Sequence, residues 1–252
     1  MKWYRADLHI HSVLSPCGSL EMSPRSVMRI AKEKKLDLIA ITDHNSMANC
    51  MQYAQVAAEF GIDFLYGVEV QTAEEIHLVA LFDNLHLALE FDKDLYKSLL
   101  LVDNDPDYFG DQVVVDSEEN IVRFEKRALI NSSCWNFDEA LNRVNEASGF
   151  AFPAHVDAAT YSVIAQLGFI PENSNISAVG ISAKANINEV LEKFPQLKKY
   201  SLIQNSDAHY LKDIGSGFTY FYLEETNVNE LKLACENKKG RKIKNRYRRT
   251  NV

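Results

Sequence analysis

The sequence predicts an α/β barrel. Short apolar runs alternate with amphipathic stretches, several of those runs are apolar on both faces, and the alternation persists along most of the 252 residues. Length alone does not separate one barrel from two smaller domains, but barrels of this size are common as single units, and 46% hydrophobic residues supply a large core.

Taken in order, Trp3 to Ile10 reads as a first strand, and Ser23-Pro24 opens a helix with serine as cap and proline at the first helical position. Leu36 to Thr42 (LDLIAIT) is a doubly apolar second strand, followed by a helix from Ala48 to Phe60 that Gly61 stops. Asp63 to Val70 and Ile76 to Phe82 are two further strands. Leu85 to Leu101 reads as helix. The polar stretch Asp103 to Asn131 follows, with Val113–Val115 and Ile121-Val122 suggesting a hairpin. With too few apolar residues for its own core, the region of about 83–135 is expected to be an insertion. Alternation resumes with a helix from Phe137 to Ala147 and a strand from Gly149 to Pro153. Strands at Ala178–Ile181, Tyr200–Gln204 and Phe218–Leu223 come next, with helices between them and another from Val228 to Asn237. A mostly parallel sheet and one domain over residues 1–252 are the simplest account.

Net charge is -8, so the surface as a whole should repel nucleic acid and anionic membranes. The exception is KKGRKIKNRYRR, Lys238 to Arg249, read as a basic tail over about 238–252. No apolar stretch approaches the roughly 18 residues that span a membrane. MKWYRADLHIHS lacks a signal core, and the four scattered cysteines form no CxxC pair, which points to reduced thiols in the cytoplasm. Nothing marks an oligomer surface.

Six of the seven histidines lie in or just beyond apolar runs: His9, His11, His44, His77, His155 and His209. His86, at the start of a helical stretch, reads as a surface residue. DLHIHS places His9 and His11 two apart on a strand, and NSDAHY repeats the device with Asp207 and His209. Between them stand Asp43 and His44 (TDHN), Glu69 (GVEV), His77 (EIHLVAL) and His155 (PAHVDAA). Strand ends in α/β folds converge on one rim, so these groups should share a small volume. Imidazoles and carboxylates packed that closely stay unsatisfied unless cations lie among them. Nitrogen and oxygen donors without thiolate pairs suit zinc, manganese or iron.

The ordered set HxH, TDH, a glutamate after a strand, two separate histidines and a final DxH, running from Asp7 to His209, resembles the PHP family (polymerase and histidinol phosphatase domains). The resemblance implies a distorted (β/α)7 barrel carrying two or three divalent cations. His9 and His11 would bind one cation with Glu69 and Asp207. Glu69 would bridge to a second, held also by His77 and His155, and His44 and His209 would hold a third. Asp7 and Asp43 would orient imidazoles through hydrogen bonds. Many members read SDG after HxH, the aspartate binding the third cation; here the segment is SPCGS. Cys17 would then be either a thiolate ligand favouring zinc or an inert thiol in a turn.

Such a centre supports hydrolysis of a phosphate ester, with His209 and Asp43 as candidate catalytic groups and Lys184, beyond the strand at Ile181, as a candidate phosphate contact. Tyr161 and Tyr210 follow ligand segments and could stack on a base, although packing is the plainer role. A small phosphorylated metabolite or nucleotide is the expected substrate. The alternatives are an exonuclease using the basic tail as a handle, a non-catalytic scaffold, or an amidohydrolase-like enzyme. Truncation after Asn237 is the test of the handle.

Overall fold

The structure, a computed structural model, describes residues 1–172 and 174–245. The first strand, β1 (Lys2–Ile10), leads into helix α1 (Pro24–Glu33), then β2 (Leu38–Ile41), α2 (Cys50–Phe60) and β3 (Asp63–Gln71). Next come β4 (His77–Phe82), α3 (Leu85–Ser98), the short α4 (Pro106–Phe109) and a hairpin of β5 (Val113–Val115) and β6 (Ile121–Phe124). α5 (Phe137–Glu146), β7 (Phe150–Pro153), α6 (Val163–Leu167), β8 (Ala178–Ile181), α7 (Ile187–Lys193) and β9 (Ser201–Gln204) follow. β10 (Thr219–Leu223), α8 (Val228–Cys235) and β11 (Lys242–Asn245) end the series. Ser23 has the extended backbone of a cap, but its hydroxyl makes no capping bond. Gly61 stops α2 at φ 65°, in the left-handed region expected of a terminating glycine.

Seven strands form a curled half barrel in the order β11-β10-β1-β2-β3-β4-β7. The parallel pair β8–β9 bridges its edges: Val156 N–H beyond β7 donates to Gly180 O at 2.8 Å, and Asn245 Nδ2 in β11 donates to Leu202 O at 2.8 Å. The fold is thus an α/β distorted barrel, but the sheet is mixed rather than mostly parallel. Only β1–β2 and β2–β3 pair in parallel within it, while β3–β4, β4–β7, β1–β10 and β10–β11 are antiparallel. The cause is the five-residue connection Thr72–Ile76, too short for a crossover, which turns β4 back beside β3. His77 at the start of β4 therefore stands at the same rim as the ends of β1, β2 and β3.

Strand alternation divides the core. Tyr4, Ala6 and Leu8, with Leu38, Ala40, Leu65, Val79, Leu81, Phe150 and Phe152, fill the barrel, and α8 closes one end with Val228, Leu231 and Ala234. That end is the one opposite the histidines, since α8 meets Asp83 just after β4 and Ser201 at the start of β9. The outer face (Ile39, Ile41, Val68, Val70) packs under helices. The region expected as an insertion shares this outer core through Phe91, Val113–Val115, Leu129 and Trp135.

The basic run is not simply a tail. Lys242–Asn245 zips onto β10, and the Arg241 guanidinium pairs with Glu224 and Glu230 at 2.6 and 2.9 Å. The remainder of that run, residues 246–252, lies outside the described residues. Among the described residues no helix is long and apolar enough to cross a membrane.

Candidate metal centre

Regular alternation places some rim side chains, and local departures from it place the others. In β1, Leu8 faces the barrel core but Ile10 joins the outer one, because the register against β2 shifts between Asp7 and Ile10. This reversal turns His9 and His11 onto the rim. In β3 the face that starts at Leu65 continues through Gly67 to Glu69 and Gln71, and in β4 the matching face runs from Leu81 through Val79 to His77. Gly67 is required there, because a Cβ would meet Thr42 Cγ2 at 2.6 Å and Ile41 O at 2.7 Å. Glu69 N–H donates to Asp43 O and Asn45 N–H donates to Glu69 O, at 3.0 and 2.9 Å, tying the glutamate's backbone to the loop that carries His44. His155 and Asp207 have φ values of 27° and 51°, costly for residues with a Cβ and concentrated in proteins at functional sites.

Five of the six strand-end histidines gather around one carboxylate, and the sixth, His209, stands beside Asp207. His9 Nε2, His77 Nδ1 and His155 Nε2 lie 3.1, 3.1 and 3.4 Å from Glu69 Oε1. His44 Nδ1 and His11 Nε2 lie 3.1 and 3.5 Å from Oε2. Asp207 Oδ1 is 3.3 Å from both His9 Nε2 and His11 Nε2, and 3.8 Å from His209 Nδ1. The His209 ring stacks on His11 at 4.1 Å, beside Cys17 and His44. Exposure rises across the site, from 1% for the Glu69 side chain to 25% for His209 and 38% for Asp207, so the centre is open on the Asp207 side.

Hydrogen bonds on the far side of the rings fix which nitrogens face inward. The Ser15 hydroxyl donates to Asp43 Oδ1 at 2.6 Å, so its oxygen accepts from His11 Nδ1–H at 2.9 Å and leaves His11 Nε2 as a lone pair toward Glu69. The Gln71 amide is oriented by donating to Ser132 Oγ, and its Oε1 accepts from His77 Nε2–H at 3.1 Å, which turns the His77 Nδ1 lone pair inward. His209 Nδ1–H donates to Asp207 O at 2.9 Å, freeing Nε2. The free ring nitrogens of His11, His77 and His209 thus lie among the carboxylate oxygens of Glu69 and Asp207. Glu69 Oε1 and His44 Nδ1 are buried atoms without a hydrogen bond, although they have close polar neighbours. Positive charge is the missing partner, and this donor set fits divalent cations.

The ionisation pattern says the same. Burial pushes Glu69 up, yet the imidazoles, His77 and His9 foremost, hold its carboxyl well below the usual range. Burial likewise opposes charge on His9 and His44, but Glu69 and Asp207 hold His9 up while Cys17 and Glu69 hold His44 up. Burial and neighbouring imidazoles press His11 and His77 down.

All eight residues named from the motifs as ligands, His9, His11, His44, Glu69, His77, His155, Asp207 and His209, are brought together. Cys17 joins them: it forms one group with His11, His44 and His209 whose ligand atoms all lie within 4.8 Å of one another. Asp43 accepts bonds from the Ser12 N–H and the Ser12 and Ser15 hydroxyls, and so reaches His11 through Ser15. Asp7 departs from its expected role. It accepts from Ser206 N–H and Gly215 N–H at 2.9 and 3.0 Å, holding the backbone before Asp207 rather than an imidazole. Lys184 is exposed and lines a separate hollow of about 250 Å³ with Asp157, Asn186 and Lys193. Tyr161 stacks on His77 at 4.8 Å with 42% of its surface exposed, and Tyr210 is exposed under the Lys212 ammonium. His86 is exposed and pairs with Glu90 one helical turn on. Ser15 and Gln71 were missed as ring-orienting residues. Their spacing, four after His11 and two after Glu69 on one strand face, carried the signal.

Residues 7–224 match the PHP domain. Segments of the chain are 37% identical over 84 residues to a 5'-3' exoribonuclease of Haemophilus influenzae and 38% identical over 78 residues to a 3',5'-nucleoside bisphosphate phosphatase of Chromobacterium violaceum. These cover 32% and 30% of this chain, and 30% and 26% of those proteins. The chain spans about half or less of the length of the curated relatives it matches. Among solved structures, the lesion-specific endonuclease of Pyrococcus furiosus shares the fold with a TM-score of 0.72 at 19% identity, over 96% of this chain and 57% of that one. The chain belongs to the PHP domain family.

Proposed function

We propose that this PHP-family chain is a metal-dependent phosphoesterase that hydrolyses a phosphate ester of a small metabolite or nucleotide. One observation carries the reading: a buried glutamate, Glu69, is ringed by five imidazoles, and Ser15 and Gln71 fix the inward lone pairs of two of them. His9, His11, Glu69 and Asp207 would hold one cation; Glu69, His77 and His155 a second; His44, His209 and Cys17 a third. His44 stands nearer to Glu69 than that division requires, so it lies where the second and third sites meet. Bound zinc, manganese or iron would acidify a water to near neutral pH and neutralise charge on the phosphoryl group.

The chain's own part is positional. Asp43 through Ser15, and Gln71 directly, hold rings so that no reorganisation accompanies the reaction. Asp7 fixes the segment leading to Asp207. The partly exposed Asp207 and His209 border the side by which a phosphate can enter. The four free cysteines support a reducing, cytoplasmic setting, and the shared outer core supports one domain.

A strand-end nuclease is the second reading, favoured by the open face of Tyr161 beside His77 and by the segment shared with the exoribonuclease. Purified protein should contain bound transition metal by elemental analysis and turn over p-nitrophenyl phosphate or its bis-ester with added manganese or zinc. Absence of phosphoester turnover with every metal would overturn the proposal. Preference for a 5'-phosphorylated oligonucleotide over mononucleotides would favour the nuclease.

A further inference from the structure

The segment SPCGS is built as part of the centre rather than laid over it. Gly18 N–H donates to Ser15 O at 2.8 Å and Ser19 N–H donates to His209 O at 2.8 Å, so the two residues after Cys17 are tied to the backbones of Ser15 and His209. Ser15 is the residue that orients His11. A Cβ on Gly18 would come within 2.7 Å of Ser12 O, which leaves this turn no slack. Gly110, at φ 98°, abuts Pro16 so closely that a Cβ there would lie 2.6 Å from its carbonyl oxygen. Cys17 is exposed as a residue, yet its sulfur shares one coordination-sized space with ring nitrogens of His11, His44 and His209.

We infer that Cys17 makes this corner a thiolate-bearing cation site, selecting a borderline-soft ion such as zinc over manganese. Sulfur and imidazole donors in a tetrahedral set suit zinc, whereas manganese prefers carboxylate and water oxygen. The Glu69-centred part of the rim has only nitrogen and oxygen donors and carries no such preference. The protein would thus hold cations of two chemical classes a few ångströms apart. On binding, the sulfur lone pair forms the bond and whatever protons this corner holds pass to solvent. The inference rests on the proposed metal-dependent function only in requiring that the cluster binds cations.

Cobalt(II) titrated into chelator-treated full-length protein gives a readout independent of turnover. Wild type is expected to show a near-ultraviolet thiolate-to-cobalt charge-transfer band together with visible ligand-field bands, and zinc should bleach the first. Cys17→Ser should lose the charge-transfer band while keeping ligand-field bands from the Glu69 side, and Cys134→Ser should keep both. Cys17→Asp should lower zinc affinity of this corner by about 10–100-fold, the scale typical for disturbing a metal's supporting residues, while manganese affinity rises. Ligand-field bands without a thiolate band in wild type would overturn the inference and leave the phosphoesterase reading intact. No cobalt binding of any kind would remove both.

Discussion

The two ends of the barrel are closed by opposite chemistry on the same strands. At one end α8 packs Val228, Leu231 and Ala234 in one core with Phe150, Phe221 and Leu223, and the strands there keep ordinary alternation. At the other end alternation is broken by the register shift in β1, and His155 and Asp207 take left-handed backbone conformations. Buried polar atoms there lack partners. One end is arranged for stability and the other for ligands, so stability and activity should separate when either is altered.

The largest effect is expected at the plug. Leu231→Ala should cost about 2–5 kcal/mol of unfolding free energy by denaturant titration, while the folded fraction keeps its metal content and turnover. A loss of activity beyond the loss of folded protein would show that the ends are coupled. At the rim, Glu69→Gln should lower kcat/KM by about 10²–10³-fold, the scale for removing one preorganised charged group. Restoring metal at about a hundred times the dissociation constant of a site should stabilise wild type by about 2.7 kcal/mol for that site, a gain that calorimetry should find reduced in Glu69→Gln. Gln71→Leu, which leaves His77 Nε2–H without an acceptor, should weaken metal binding by about 10–100-fold without altering the fold.

The smallest effect is a pH signature of the metal-free rim. Burial would raise the Cys17 thiol, but hydrogen bonds with His209 and His44 bring it down to about 6. Burial would lower His209, but Cys17 brings it up to about 9. A depressed acid contributes stability that fades as pH falls through its folded value, and a raised base contributes stability that fades as pH climbs through its own. Chelated protein should therefore melt highest between about pH 6 and pH 9. Cys17→Ser should flatten that maximum, and a profile unchanged by the substitution would contradict the pairing.

Much of this was legible in the sequence because it depended on residue type and order. Apolar runs ending in His, Asp or Glu placed the candidate ligands at strand ends, and the ends met. What escaped depended on direction and pairing. The short turn at Thr72–Ile76 reverses β4, and apolar periodicity is the same for a strand running either way. The parity switch after Leu8 leaves no trace in hydrophobicity, and Lys242–Asn245 hides a strand beneath lysines because an edge strand needs only one apolar contact, from Ile243. Asp7 was legible only as a supporting residue beside HxH, because its partners, Ser206 and Gly215, are about two hundred residues away.

The seam between β10 and β11 changes how the nuclease reading must be tested. Cutting after Asn237 would strip the Arg241 ion pairs and the Asn245 clasp on Leu202, laying bare the edge of β10. Lost nucleic-acid affinity in such a protein would report a damaged sheet as readily as a missing cationic handle. A deletion that begins beyond Asn245 spares the seam and isolates the charge.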